Sequence, residues 1–525
     1  MSSTGEFSSV EFMPSGRTAE VARGATVLEA AAGAGVVISA PCGGRGACGR
    51  CAVSVVGGEL EPPSEREIAA LARARVGAAQ IRLACMAQVT GDVTLRPLGV
   101  SPDVSAVVGD RGARSVVAGV DVGTTSVAVQ LVDTAQRAIV GSARVPNRQA
   151  AFGADVVSRI ASALDGAGER LTAAAEDSVI DALGLARGGA GPDDLPVERV
   201  VVAGNTAMIS LLAGVDVAGL ASHPFSHALT ETHHLASARL AAAVGGAEIL
   251  VIPPVAAFVG GDLVAGMVAE GLADEAGDAL FIDLGTNAEV AVVAGGRTMV
   301  ASAPAGPAFE GWGIACGGQA GPGGIVRVTP TESGGGLRAV TDDGPASHLT
   351  GSGLISVIAL LRRAGHLDAD GLLRSDGPVR ERFFTADGVR AVALGAEPSD
   401  RSVFVSQLDV RALQSAKAAV CVAVRAVATA ASIGALREVI ATGAFGGALE
   451  TRDLVDLGIV PSGAAGVLRQ VPDAALRGAA CMALDPDLFQ DAQMLASRAE
   501  HVDLAMGESF THEFVAALRL EPFSL

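Results

Sequence analysis

Apolar and polar residues alternate over residues 10–21, a small-residue apolar stripe follows over 26–33, and a second alternating run occupies 52–56. Period-two alternation half-buries a strand and a stripe buries one side of a helix, so this region predicts a hairpin, a helix and a further strand. Two later runs read differently: Val116-Val117-Ala118-Gly119-Val120-Asp121-Val122-Gly123-Thr124-Thr125-Ser126-Val127-Ala128-Val129-Gln130-Leu131-Val132, and Ala279-Leu280-Phe281-Ile282-Asp283-Leu284-Gly285-Thr286-Asn287-Ala288-Glu289-Val290-Ala291-Val292-Val293. Each predicts a β-hairpin whose turn carries Asp, Gly and Thr. One such turn says little, because Asp and Gly are common turn residues. Two copies of Asp-x-Gly-Thr about 160 residues apart predict a duplicated lobe with two phosphate-facing loops. A further apolar strand at 438–441 runs into Gly443-Ala444-Phe445-Gly446-Gly447. Residues 416–435 come closest to a membrane span, but Lys417 and Arg425 interrupt them and a buried core helix is predicted.

The cysteines are placed unevenly. Cys42, Cys48, Cys51 and Cys85 lie in the first hundred residues, and Cys316, Cys421 and Cys481 are scattered. The first set is spaced by five, two and thirty-three intervening residues, which puts three thiolates on one loop and a fourth elsewhere. In a chain of reducing surroundings such a set points to a metal site rather than to disulfides. The loop Pro41-Cys42-Gly43-Gly44-Arg45-Gly46-Ala47-Cys48-Gly49-Arg50-Cys51 has glycines that let backbone N–H groups turn toward sulfur, which suits an iron–sulfur cluster. Zinc ribbons would show two matched CxxC knuckles. With one residue more in its first gap than the plant-type spacing, the segment resembles the adrenodoxin-like [2Fe-2S] ferredoxins, and its elements fit their β-grasp fold. The three scattered cysteines read as small buried hydrophobes without a role.

Composition removes several alternatives. With Lys+Arg 38 against Asp+Glu 57 the formal charge is −19, so neither nucleic acid nor an anionic membrane surface is an expected partner. The first residues lack a basic segment followed by an apolar run, which predicts a cytoplasmic protein. Lys417 is the only lysine and sits in an apolar pattern, which excludes a P-loop. The segment opening Arg96-Pro97-Leu98-Gly99-Val100-Ser101-Pro102 reads as a linker.

The paired Asp-Gly-Thr hairpins and the Gly443–Gly447 loop resemble the ASKHA superfamily of acetate and sugar kinases, Hsc70 and actin, in which two ribonuclease-H-like lobes close over ATP. Further stretches narrow the likeness: Asn147-Arg148-Gln149, Gly153-Ala154-Asp155-Val156-Val157-Ser158-Arg159-Ile160, Gly204-Asn205-Thr206-Ala207-Met208, Ala303-Pro304-Ala305-Gly306-Pro307-Ala308-Phe309-Glu310-Gly311 and Gly351-Ser352-Gly353-Leu354. Together with the cysteine segment they look like the RACo-type reductive activators of corrinoid proteins. The resemblance implies a multidomain α+β and α/β chain: a ferredoxin-like β-grasp domain over 1–98, a linker over 99–114, a middle domain or first ASKHA lobe over 115–205 with phosphate loop 1, and a C-terminal ASKHA ATPase domain over 206–525 with phosphate loop 2 and the adenosine loop.

It further implies a [2Fe-2S] cluster on Cys42, Cys48, Cys51 and Cys85. ATP and Mg2+ would be organised by Asp121 and Asp283, with phosphate donors at Gly123, Thr124, Thr125, Gly285, Thr286 and Asn287 and an adenosine cradle at Gly443, Gly446 and Gly447. The implied partners are a corrinoid (cobamide) protein of a methyl-transfer system and an unidentified low-potential electron donor, and a homodimer is left open. The implied reaction is ATP-dependent reduction of Co(II) to Co(I), uphill from a cluster near about −400 mV. A small-molecule kinase, or a chaperone-like ATPase with a redox-sensing ferredoxin domain, is the alternative. Glu289 follows Asn287 by two positions and so shares its strand face. It is read as a second carboxylate or a solvated strand residue, and Asp262 as a cleft acid at lower weight. Adjacent His233 and His234 point apart and do not suggest a metal site. Trp312 packs in the core or faces a partner, and the sequence leaves this open.

Overall fold

The computed structural model describes residues 7–13, 16–34, 36, 38, 46, 51–74, 80–97, 105–108, 115–188, 194–229, 233–272, 277–318, 321–331, 336–376, 379–386, 388–395, 403–443, 449–504 and 510–525. The chain forms two compact units, Met1–Gly260 with Ala479–Phe489, and Gly261–Gly478 with Gln490–Leu525.

The first unit opens with β1 (Phe7–Phe12), β2 (Arg17–Ala22), α1 (Val27–Gly33), β3 (Ala52–Leu60), α2 (Glu65–Ala74), β4 (Ile81–Leu83) and β5 (Val89–Pro97). They form a sheet of order β2-β1-β5-β3-β4 with β1 and β5 parallel, the β-grasp arrangement. α1 starts where it does because Thr26 and Glu29 make a reciprocal capping box. Its Val27, Leu28, Ala30 and Ala31 then pack with Val10, Phe12, Leu83 and Leu95. β3 extends four residues past the expected strand, to Leu60. Gly57 and Gly58 continue the strand through register irregularities against β5. Buried Glu67 accepts from Arg82 Nε and Nη2 at 2.9 Å each and from Leu83 N–H at 2.8 Å. That satisfied carboxylate ties α2 to β4, two residues before Cys85.

The same unit continues with β6 (Ser105–Val108), β7 (Val116–Val122), β8 (Ser126–Asp133), β9 (Ile139–Pro146), α3 (Val156–Ser162), α4 (Gly168–Ala186), β10 (Val197–Gly204), α5 (Thr206–Ala213), β11 (His233–His234), α6 (Ala238–Ala243) and β12 (Glu248–Val251). The sheet order is β11-β12-β10-β7-β8-β9-β6. β6 falls inside the stretch expected as a linker, where it pairs with β9. Its Ala106-Val107-Val108 run supplies strand propensity that the surrounding Pro, Gly and Asp obscured.

The second unit holds α7 (Gly261–Ala269), β13 (Ala279–Leu284), β14 (Ala288–Ala294), β15 (Arg297–Ala303), β16 (Gly324–Pro330), β17 (Leu337–Thr341), β18 (His348–Leu349), α8 (Gly351–Arg363), β19 (Phe383–Ala386), β20 (Val389–Ala393), β21 (Phe404–Ser406), α9 (Gln407–Ala431), β22 (Glu438–Thr442), β23 (Leu468–Gln470) and β24 (Glu500–His501). Its main sheet runs β23-β22-β13-β14-β15-β24. An antiparallel meander, β13-β14-β15, is flanked by parallel β22 and β23, just as β7-β8-β9 is flanked by parallel β10 and β12. The duplication read from two turns is therefore a duplication of whole sheets.

α9 is long and apolar enough to cross a membrane by length and composition, and 72% of its most apolar window is buried inside the protein. The sole lysine lies on it. Lys417 is buried, donates from Nζ to the Arg519 carbonyl at 2.7 Å, and is pushed down to about 8 by loss of solvent. Of the scattered cysteines, Cys421 is buried and Cys316 half-buried. Cys481 is exposed, contrary to expectation, on a helix whose Ala479, Ala480, Met482 and Ala483 take the inward positions.

Candidate functional site

Cys51 ends the glycine loop and is buried, and Cys85 follows β4 and is half-buried. Their sulfurs lie 3.3 Å apart, far longer than a disulfide of about 2.05 Å. Two sulfurs bound to one tetrahedral metal at about 2.3 Å would be separated by about 3.7 Å, so this pair fits two ligands of one metal–sulfur centre. The Cys85 thiol is lowered to about 7, chiefly by its bond with Cys51, with burial opposing and the Gly46 backbone assisting. Gly46 sits at φ 65, and a β-carbon there would run into the Met86 sulfur. The loop wrap inferred from glycines is thus seen at one point where only glycine fits. Cys42 and Cys48 lie outside the described residues. Cys85 also borders a surface pocket with Thr26, Arg66, Met86 and Gln88.

Loop 1, the expected first phosphate loop, joins β7 to β8. Gly123 N–H bonds the Ser126 carbonyl at 3.0 Å, closing the turn, and Asp121 lies opposite Ala128 on β8 and beside Ala203 on β10. What holds Thr124 and Thr125 comes from farther along the chain. Asn147 Nδ2 donates to the Gly123 carbonyl at 2.8 Å and Asn147 N–H to the Thr125 carbonyl at 2.9 Å. Arg159, 1% exposed, donates from Nη2 to the Thr124 carbonyl at 2.6 Å and from Nε to the Gly153 carbonyl at 2.9 Å. It also reaches Gln149 Oε1 and Met208 Sδ. Burial lowers the guanidinium to about 9. The motifs at 147–149 and 153–160, which in sequence served only to recognise a family, are the underside of loop 1. Asp155 and Ser158 form the capping box that starts α3 and so places Arg159.

Loop 2, the expected second phosphate loop, joins β13 to β14, with Asp283 opposite Glu289 and beside Thr442 at the end of β22. Glu310 Oε1 accepts from both Thr286 N–H and Thr286 Oγ1 at 2.7 Å, and the Thr286 carbonyl accepts from Gly306 N–H at 2.8 Å. The 303–311 motif is thus the buttress of loop 2. Gly351, at the start of α8, presses on it so closely that a β-carbon would overlap the Phe309 carbonyl. Trp312 follows half-buried, its Nε1 sheltered without a hydrogen-bond partner among the described residues. Gly443, at φ 138, leaves β22 at the same sheet end as loop 2. Gly446 and Gly447 lie outside the described residues. The two Asp-x-Gly-Thr loops and this exit stand at the carboxyl ends of sheet strands, where α/β proteins bind ligands.

Glu289 is buried and bonds Asp262, at the head of α7, whose carboxyl is pushed up to about 6 by burial against the pull of its backbone N–H bonds and of Glu289. The pairing of these two acids was not legible in sequence, because 27 residues separate them. A carboxyl raised from 3.8 to about 6 favours the folded state when protonated, so its contribution is full below about pH 4 and is lost as pH rises through 6. Asp262→Asn should remove roughly 1–3 kcal/mol of that fall, measured as denaturant stability against pH. An unchanged pH profile would show that Asp262 does not carry the proton. His233 and His234 form β11, and His234 pairs with Glu248. Among the described residues no three His, Cys, Asp or Glu side chains are grouped as a metal-ligand set.

Comparison with known proteins agrees with this architecture. Residues 10–90 match the 2Fe-2S iron-sulfur cluster binding domain, 116–275 the RACo middle region, and 278–524 the C-terminal ASKHA domain of RACo. The corrinoid activation enzyme RamQ of Eubacterium limosum is 27% identical over 409 residues, covering 75% of this chain and 68% of that protein. The [Co(II) methylated amine-specific corrinoid protein] reductase of Methanosarcina barkeri is 35% identical over 144 residues, 26% of this chain and 27% of that protein. A solved structure titled reductive activator for corrinoid, iron-sulfur protein shares the fold with a TM-score of 0.72 at 24% identity, over 98% of each chain. With RACo regions running behind a 2Fe-2S segment in the order its own sheets display, the chain belongs to the RACo-type family of reductive activators of corrinoid proteins.

Proposed function

We propose that the chain is a cytoplasmic, ATP-dependent activator that returns the inactive Co(II) state of a cobamide protein in a methyl-transfer system to Co(I), handing on one electron from a low-potential donor. The observation that carries this reading is the joining, in one chain, of a cysteine pair fit for a metal–sulfur centre with two Asp-x-Gly-Thr loops, one of which already binds a carboxylate. The activities named for the E. limosum and M. barkeri relatives support it.

In this reading Cys42, Cys48, Cys51 and Cys85 hold the cluster. A bound [2Fe-2S] cluster supplies a one-electron carrier near about −400 mV. The lowered Cys85 thiol gives up its proton near neutral pH, which favours ligation there. Because Cys85 borders an open pocket, it offers the donor or acceptor an approach to the centre. Loops 1 and 2 hold phosphates through Gly123, Thr124, Thr125, Gly285, Thr286 and Asn287. Asp121 and Asp283 organise Mg2+ and water, and the Gly443, Gly446 and Gly447 turn lets adenosine approach the backbone. The cation that a P-loop would supply is not needed, and Lys417 is committed to the Arg519 carbonyl. ATP then has to bind one state of the complex better than the other, each tenfold of preference being worth about 59 mV for one electron.

The test follows the cobalt spectrum of a methyl-transfer corrinoid protein mixed with the cluster-loaded chain and a low-potential reductant, with and without ATP. Co(I) should accumulate only with ATP. Cys85→Ser should lose labile sulfide and drop Co(I) formation to the background without protein. Equal Co(I) formation in the absence of ATP, or ATP turnover that depends on a small phosphate acceptor, would overturn the reading.

A further inference from the structure

The two loops are held by opposite charges. Behind loop 1 stands the buried guanidinium of Arg159, on the Thr124 carbonyl. On loop 2 lies the carboxylate of Glu310, and it takes the donors rather than an acceptor: Thr286 N–H and Thr286 Oγ1 both point at Oε1 at 2.7 Å. A β-carbon on Gly285 would lie 3.8 Å from the same oxygen, so Glu310 sits over the glycine turn itself. A phosphate oxygen is the same kind of acceptor as a carboxylate oxygen, carries the same sign of charge, and needs the same N–H and O–H groups. The two cannot hold them together.

The backbone that carries Glu310 is fixed. Gly306 N–H bonds the Thr286 carbonyl, Trp312 N–H bonds the Pro307 carbonyl at 3.0 Å, and α8 leaves no room at Gly351 for the Phe309 carbonyl to move inward. What would exchange is the Glu310 side chain, which is half-buried and has rotatable bonds.

Resting on the reading of loop 2 as a phosphate loop, we propose that Glu310 is an internal competitor for the nucleotide: its carboxylate occupies the phosphate donors of Thr286 and must leave before ATP can take them. Nucleotide affinity is then lowered by the fraction of molecules in which Glu310 is seated. The device keeps loop 2 in its anion-binding shape without nucleotide, and sets a threshold concentration for ATP.

The test is calorimetric titration of the full chain with ATP and Mg2+, comparing wild type with Glu310→Ala and Glu310→Gln. Competition predicts that the alanine variant binds about tenfold tighter, with the neutral, isosteric glutamine between it and wild type. Equal or weaker binding in the glutamine variant, whose shape preserves the loop, would make Glu310 a strut of loop 2 and overturn the inference alone. Absence of nucleotide binding by wild type and both variants would overturn the reading of loop 2 and this inference with it.

Discussion

Asp283→Ala and Asp121→Ala should each reduce ATP-driven Co(I) formation by about a hundredfold or more while leaving the cluster reducible. A carboxylate that organises Mg2+ or the attacking water stabilises charge that appears in phosphoryl transfer, and its loss typically costs several kcal/mol of barrier. Each aspartate is the last residue but one of an equivalent strand of a repeated sheet, Asp121 before loop 1 and Asp283 before loop 2. Neither lies in the ferredoxin sheet that carries Cys51 and Cys85. Measuring ATPase rate, cluster bleaching by a chemical reductant and Co(I) formation on the same samples separates the two functions. Normal Co(I) formation in either folded variant would reduce that aspartate to a turn residue.

Arg159→Ala should destabilise the first lobe by about 3–5 kcal/mol and weaken ATP binding, with cluster content unchanged. The guanidinium is buried with two carbonyls as its closest oxygen partners, those of Thr124 and Gly153. Removing it strands both acceptors and opens a cavity beneath loop 1. Arg159→Lys keeps the charge, but an ammonium lacks the planar fork that spans the two carbonyls, so most of the loss should remain. Chemical denaturation followed alongside nucleotide titration checks both effects. A variant with wild-type stability and affinity would show that loop 1 is held by Asn147 alone.

The sequence displayed what is local. The cysteine loop from Cys42 to Cys51 and each Asp-x-Gly-Thr turn with the apolar strands beside it are contained in about a score of residues, and from them the ferredoxin sheet and the duplicated lobes could be expected. What remained hidden depends on distance along the chain. Arg159 meets Thr124 across 35 positions, and Glu310 meets Thr286 across 24. Both lay within motifs that had been singled out, yet nothing in their composition says which backbone they support. β6 was missed for a different reason: a four-residue edge strand among Pro, Gly and Asp has too short a period to stand out.

Trp312 gives the chain an optical property of practical use. It is the single tryptophan and there is no tyrosine, so essentially all long-wavelength ultraviolet emission arises two residues from Glu310. Its sheltered indole N–H, unpartnered among the described residues, should make that emission sensitive to water admitted beside it. The segment that buttresses loop 2 therefore ends beside a built-in fluorophore. A nucleotide that displaces Glu310 should change that emission in the intact chain without a label, and with little aromatic absorbance from the rest of the protein.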